Sequence, residues 1–245
     1  MKNENTIYGI RPVIEAMKSG KEIDKVLIQT GLKGEGFHQL HGMIRELEIP
    51  MQFVPIEKLN RMTRQNHQGV IAYVSEIVYQ RTEQLIPFVY EKGKTPLFLI
   101  LDRLTDVRNL GAIARTAECA GVDGLVIPEK GAAQVTSDAI KTSAGALYKL
   151  PVVRAKSLKE AVHLMKESGL KIIAATEKAV TDYTAVDYTQ PLALIMGSEE
   201  DGISDELLRS ADELVTIPVL GEIGSLNVSV AAGVILYEIV RQRKG

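Results

Sequence analysis

The chain has 245 residues, 45% of them hydrophobic and 24% charged, with a net charge of −2 and a single cysteine, Cys119. That supports one large or two modest cores, and it excludes an internal disulfide, a cysteine-rich zinc site and a polyanion held by overall charge. No apolar run approaches the ~20 residues of a membrane helix, and MKNENTIYGIRP lacks a signal-peptide core, so a cytoplasmic protein is expected.

Residues 1–78 read as a small α/β domain. IYGIRPVIEAMKSG predicts a helix ending at Gly20, and KVLIQT a strand. FHQLHGMIRELEI predicts a second helix, with Phe37, Leu40, Ile44 and Leu47 at helical spacing. MQFVPIEKLNRM reads as a short strand and a helical turn, and GVIAYVSEIVY alternates as a strand. The stretch QRTEQLIPFVYEKGKTP loses periodicity, so residues 79–95 are assigned as a linker with room for a short helix in the middle.

From Pro96 to the end, a second domain, 96–245, has a different rhythm. LFLILD, GLVIP, LPVVRA, KIIAAT, LALIMG and ELVTIP are short, mostly continuous apolar runs, as strands buried on both faces require. NLGAIARTAECAG, SDAIKTSAGAL, SLKEAVHLMKESG and SDELLRSAD are the helices between them. Ser157 with Glu160 fits a capping box, and Ser204 an N-cap. Strand and helix alternating in this way predict a doubly wound α/β domain with a parallel sheet.

Polar residues and glycines collect after three of these strands. After LFLILD comes RLTDVRNLGAIART, with Asn109 at a helix start and Arg115 about one and a half turns inside. After LALIMG comes GSEEDGIS, with Glu199 between Gly197 and Gly202. After ELVTIP comes VLGEIGSLNVS, with Ser225 and Asn227. Singly, each has a plain structural role. Asn109, Ser225 and Asn227 suit helix caps, Arg115 suits a surface pair with Glu118 or Asp123, and Glu199 suits a helix dipole. Their convergence on one edge of one sheet favours a ligand site, because ligands of such sheets lie at the C-terminal strand ends. The chain has no G-x-x-x-x-G-K-[ST], no G-x-S-x-G, and no G-x-G-x-x-G after the first strand of the domain. His38 and His41 lie on one predicted helix without partner ligands, so no metal is expected.

NLGAIARTA (109–117), IMGSEEDGIS (195–204) and IPVLGEIGSLNVSVAAGVILYE (217–238) resemble the three signature motifs of the SPOUT-class RNA ribose methyltransferases, in the TrmH/RlmB branch. IYGIRPVIEAM and NHQGVIAYV resemble the opening and closing stretches of the L30e-like substrate-binding domain of RlmB-like members. The resemblance implies 2′-O-methylation of an RNA ribose with S-adenosylmethionine as donor. The implied target is a guanosine in large-subunit ribosomal RNA, with transfer RNA as the alternative. It also implies a deep trefoil knot in the C-terminal domain and a homodimer with composite sites. Carried over by motif, Gly197, Ile217 and Leu226 hold the cofactor, joined by Met196 and Thr176. Asn109, Arg115, Glu199, Ser225 and Asn227 match catalytic or RNA-positioning positions, and Val107 stands where relatives often carry proline.

An arginine stays protonated and makes a poor base, so Arg115 is expected to act electrostatically on a phosphate and a developing alkoxide. The last helix, NVSVAAGVILYEIVRQR, is apolar on nearly all sides until Glu238, which agrees with a partner chain covering it. Lys58, Arg61, Arg64 and His67 are the candidate RNA contacts of the first domain, and RQRKG is a second basic stretch. Two rival readings differ in class: a non-catalytic RNA-binding ribosome-assembly factor, and a dehydrogenase, which the missing glycine fingerprint opposes.

Overall fold

The computed structural model describes residues 5–244. The chain divides into two compact units, Met1–Val78 and Tyr79–Gly245.

The first unit contains β1 (Thr6–Tyr8), α1 (Ile10–Lys18), β2 (Ile23–Gln29), α2 (Glu35–Glu46), β3 (Met51–Val54), α3 (Ile56–Met62) and β4 (Val70–Val74). Its sheet has the order β1-β4-β2-β3 and is antiparallel except between β2 and β3. Alternation along the strands divides the core in two. Val26, Ile28, Val70 and Ala72 pack with Val13, Leu40 and Ile44, whereas Leu27 and Ile71 pack with Leu59 of α3. The residues IY, expected to open a helix, instead pair with β4, Ile7 opposite Ala72, and Gly9 at φ 94° turns the chain into α1.

The second unit begins with α4 (Thr82–Glu91), which corrects the linker expectation for 79–95. Leu85, Ile86 and Val89 are buried against Phe98, Val153 and Met165, so this helix belongs to the core of the unit. Then follow β5 (Leu97–Leu101), α5 (Val107–Cys119), β6 (Gly124–Pro128), α6 (Ser137–Thr142), β7 (Val152–Ala155), α7 (Leu158–Glu167), β8 (Lys171–Ala175), β9 (Leu192–Met196), α8 (Asp205–Ser210), β10 (Glu213–Val215) and α9 (Val228–Lys244). The sheet order is β10-β8-β9-β5-β6-β7, all parallel. Every residue of the central strands β5 and β9 is buried, as their unbroken apolar runs require.

Local chemistry explains the helix ends. Asp106 caps α5, its Oδ1 accepting from the main-chain N–H groups of Arg108 and Asn109 at 2.7 and 2.8 Å. Val107 thus occupies the first helical turn, where proline is tolerated but not required. Ser157 caps α7 by accepting from Glu160 N at 3.2 Å, while Ser204 makes no side-chain cap and donates its main-chain N–H to Asp102 Oδ2 at 2.7 Å. SDAIKTSAGAL, expected as one helix, breaks where Ala144 and Gly145 adopt φ of 51° and 82°. α5 and α6 approach so closely that a Cβ on Gly111 would lie 2.6 Å from Thr142 Cβ.

The basic tail has structural partners. Arg243 donates to the carbonyl oxygens of Thr95, Pro96, Tyr188 and Gln190 at 2.8–3.1 Å. Arg241 binds the Glu238 carboxylate through two nitrogens, at 2.7 and 2.8 Å. Among the described residues no helix is long and apolar enough to cross a membrane.

Candidate active site

The C-terminal ends of β8, β9 and β10 open on a cavity of about 500 Å³, within the range of small-molecule sites. Thr176, Met196, Gly197, Glu199, Ile217, Ser225 and Leu226 all line it. Because β8 lies between β10 and β9, Thr176 stands in the middle of this wall, whereas the sequence singled out the ends of β5, β9 and β10. Glu177 and Lys178, which follow β8 directly, also line the cavity and went unnoticed because their loop carries no paired glycines.

Gly197 is required by crowding. Residues 197–203 fold back as a tight hairpin in which Ser198 and Gly202 exchange main-chain hydrogen bonds at 3.0 and 3.2 Å. A Cβ on Gly197 would lie 2.1 Å from the carbonyl carbon of Gly202. Gly221 and Gly224 are not crowded by the protein: a Cβ at either would meet no atom within 4 Å. Gly224 presents bare main chain to the cavity.

At the rim, three side chains from three elements converge. Glu199, in the hairpin after β9, accepts through Oε1 from Asn109 Nδ2 at 3.2 Å, from Asn227 Nδ2 and from the main-chain N–H of Val228 at 3.4 Å. Asn227 Nδ2 also lies 3.2 Å from Asn109 Oδ1. The other end of the Asn227 amide is the cap of α9, its Oδ1 accepting from Ser229 N at 3.0 Å and Ser229 Oγ at 2.5 Å. Asn227 therefore caps α9 with its oxygen and joins Asn109 and Glu199 with its nitrogen. Asn109 is released from capping by Asp106. The Glu199 carboxylate lies at the positive end of α9, where a negative charge is favoured. Ser225 hydrogen-bonds to nothing among the described residues.

Arg115 is not in this cluster and does not line the cavity. It lies six residues beyond Asn109 on α5, about 9 Å along the axis, and is exposed. It pairs with neither Glu118 nor Asp123; the latter holds Lys94 at 2.9 Å and the Leu97 N–H at 3.1 Å.

In the first unit, Lys58, Arg61 and Arg64 are exposed on and just after α3. His67 is a correction. It is buried, its Nδ1 accepting from Gly69 N at 3.0 Å and its Nε2 hydrogen-bonded to Asn60 Oδ1 at 2.9 Å. Both ring nitrogens are thus engaged within the unit, and the side chain offers nothing to a phosphate. Among the described residues no group of three or more His, Cys, Asp or Glu is placed to hold a metal ion.

Comparison with known proteins gives the site its context. Residues 96–237 match the SpoU rRNA Methylase family, and residues 6–80 match RNA 2′-O ribose methyltransferase substrate-binding domains. The chain is 37% identical over 238 residues to YacO of Bacillus subtilis, described as a TrmH family tRNA/rRNA methyltransferase, covering 97% of this chain and 95% of that one. It is similar to the SpoU methyltransferase AviRb from Streptomyces viridochromogenes solved with the cofactor AdoMet: TM-score 0.62, 27% identity, covering 98% of this chain and 90% of that chain. It is also similar to an AdoMet-bound rRNA methyltransferase from Sinorhizobium meliloti, with TM-score 0.62 and 26% identity over 96% of this chain and 86% of that chain. The cavity fits such a donor, with the apolar side chains of Met196, Ile217 and Leu226, bare main chain at Gly197 and Gly224, and a carboxylate at Glu177 that suits a sulfonium. The chain belongs to the SpoU/TrmH family of S-adenosylmethionine-dependent RNA methyltransferases.

Proposed function

We propose that the protein methylates a ribose 2′-hydroxyl of RNA, at a guanosine of large-subunit ribosomal RNA, in the cytoplasm. One observation carries the chemistry: Asn109, Glu199 and Asn227, from three separated segments, are joined at the mouth of the donor cavity. A protein that only bound RNA would have no use for this arrangement. The match of residues 96–237 to an rRNA methylase family favours ribosomal over transfer RNA.

When bound, S-adenosylmethionine would supply a methyl group activated by its sulfonium, for transfer to the ribose 2′-oxygen with the thioether S-adenosylhomocysteine as leaving group. Met196, Gly197, Ile217 and Leu226 hold the donor, with Thr176 beside them. Glu199 has Oε1 fully engaged, leaving Oε2 to receive the target hydroxyl. Asn109 and Asn227 fix the carboxylate in that orientation, and Ser225 shapes the wall beside the target nucleotide. Arg115 grips a neighbouring phosphate with both guanidinium branches and stabilises the developing alkoxide, the proton leaving to phosphate or water.

Arg115 reaches a site by belonging to the other copy of a homodimer. In support, it is exposed, and so are apolar residues in the loop before α9, Leu220, Ile223 and Leu226, and on α9 itself, Val230 and Tyr237. Val230, Val234 and Tyr237 share one side of α9, where a second chain would shield them. A trefoil knot in the C-terminal loops belongs to the same reading. The first unit brings the RNA through Lys58, Arg61 and Arg64. Mapping 2′-O-methyl marks in ribosomal and transfer RNA, with and without the protein, tests the proposal. A missing mark in large-subunit ribosomal RNA is expected, and one missing only from transfer RNA would move the target.

A further inference from the structure

Arg103 stands apart from the rest of the site. It follows β5 in DRLTD and adopts a left-handed backbone, φ 56°, where a side chain other than glycine or asparagine is disfavoured. Its side chain turns to the hairpin after β9, and Nη2 donates to the carbonyl oxygens of Asp201 and Gly202, each at 3.1 Å. Nε is buried without a hydrogen-bond partner and lies 3.7 Å from Asp102 Oδ2. The carboxylate thus gives the guanidinium charge compensation, while the hairpin carbonyls give it direction. Asp102 completes the bracket from below, accepting from Ser204 N at 2.7 Å with the same oxygen.

The hairpin held in this way forms one wall of the donor cavity and carries Glu199 near its tip. Its own bonds are few: the Ser198–Gly202 pair, and Ser198 Oγ accepting from Asp201 N at 3.1 Å. Nothing in those bonds ties the hairpin to β5. Asp102 fixes the hairpin's two bases, through Met196 O and Ser204 N, and Arg103 Nη2 reaches its returning arm, and so helps set how far the wall at Gly202 stands from the donor and where the Glu199 carboxylate meets Asn109. We infer that Arg103 is a positioning residue, latching the 197–203 hairpin to the end of β5 so that the donor wall and Glu199 are in place before either substrate arrives. The inference rests on the reading that this cavity holds the donor and that Glu199 orients the ribose.

The left-handed backbone makes the test unusually clean. Arg103→Gly and Arg103→Asn both tolerate that conformation, and neither reaches the hairpin carbonyls. Each variant is measured as the full-length protein, by calorimetry with S-adenosylmethionine and by the thermal midpoint without ligand. The expected result is a five- to tenfold rise in Kd in both variants, the scale of one typical net hydrogen bond because the latch acts on the donor only through the wall, with a midpoint that stays level or rises. At saturating donor, kcat falls as well, because Glu199 is no longer held. A Kd and kcat within twofold of wild type in either folded variant would overturn the inference, as would a lowered midpoint with unchanged Kd. If wild type itself fails to bind the donor, the underlying reading of the cavity fails instead.

Discussion

Asn109 and Asn227 stand 118 positions apart and meet at 3.2 Å, Asn227 Nδ2 donating to Asn109 Oδ1. Both also donate to the same oxygen of Glu199. With Asn227 Oδ1 occupied by Ser229, these amide orientations are the ones in which each donor faces an acceptor.

Glu199→Gln presents an amide to this pair of donors, so the cluster loses its charge and part of its bonding. The expected outcome is a fall in kcat of about a hundredfold, with donor affinity changed by less than about threefold. Single-turnover methyl transfer and calorimetry read the two separately. A variant with near-normal kcat removes Glu199 from the chemistry.

Arg115 is tested in two ways. Arg115→Lys keeps the charge and loses the planar fork, so the single-turnover rate should drop at least tenfold while the donor Kd holds. Full retention of rate and RNA affinity would disprove the bidentate phosphate grip. Mixing inactive Arg115→Ala with inactive Glu199→Gln should restore part of the activity, since one site of each mixed dimer has both wild-type residues. No recovery after verified subunit exchange places Arg115 and Glu199 in the same chain's site.

Gly197→Ala forces its methyl group against the Gly202 main chain, so the hairpin must move and the cavity wall with it. Donor binding should weaken by more than tenfold, the cost of displacing a backbone wall by more than a fraction of an ångström. Gly224→Ala has open space within the protein, and any loss there reports contact with the donor itself.

Replacing Lys58, Arg61 and Arg64 together by alanine should weaken RNA binding at every sequence. It should also lower the slope of log affinity against log salt by roughly one to three units. His67→Ala should instead lower the thermal midpoint by removing a buried side chain bonded to Asn60 and Gly69. An unchanged salt slope in the triple variant would place the RNA elsewhere.

Hydrogen bonds from Arg241 and Gln242 hold the Glu238 carboxyl down to about 2, below its ordinary 4.5. A depressed carboxylate contributes stability that is fully present above the unfolded value, and it is lost as pH falls from about 4.5 through about 2. Thermal midpoints taken from pH 6 down to pH 2.5 should therefore fall more steeply in wild type than in Glu238→Gln. Parallel curves would show that the pair adds nothing.

The fold was legible wherever periodicity alone decides it. The six strands of the second unit match six apolar runs, most plainly in β5 and β9, which are buried on both faces, and least in the edge strand β10, where only Val215 is buried. Residues 79–95 misled because α4 carries Pro87 and a loose apolar stripe, so Leu85, Ile86 and Val89 are recognisable as core only against Phe98 and Met165. His67 looked like part of a basic cluster because one-dimensional spacing cannot show that Gly69 and Asn60 fold back onto the ring. Within the site, Asn109, Glu199 and Asn227 were visible as polar residues after strands, but the neighbours of β8 depend on sheet order. Arg103 left no signal at all, since a left-handed backbone at an arginine is a property of the folded loop.

The helix that Asn227 caps runs 17 residues, about 25 Å, and ends where Arg243 grips carbonyls at the starting ends of the strands. Its two termini thus lie on opposite edges of the sheet. A fluorophore or affinity handle placed near Lys244 would stand a helix length, about 25 Å, from the Asn227 cluster of its own chain. Such a label could follow RNA docking by energy transfer without touching catalysis.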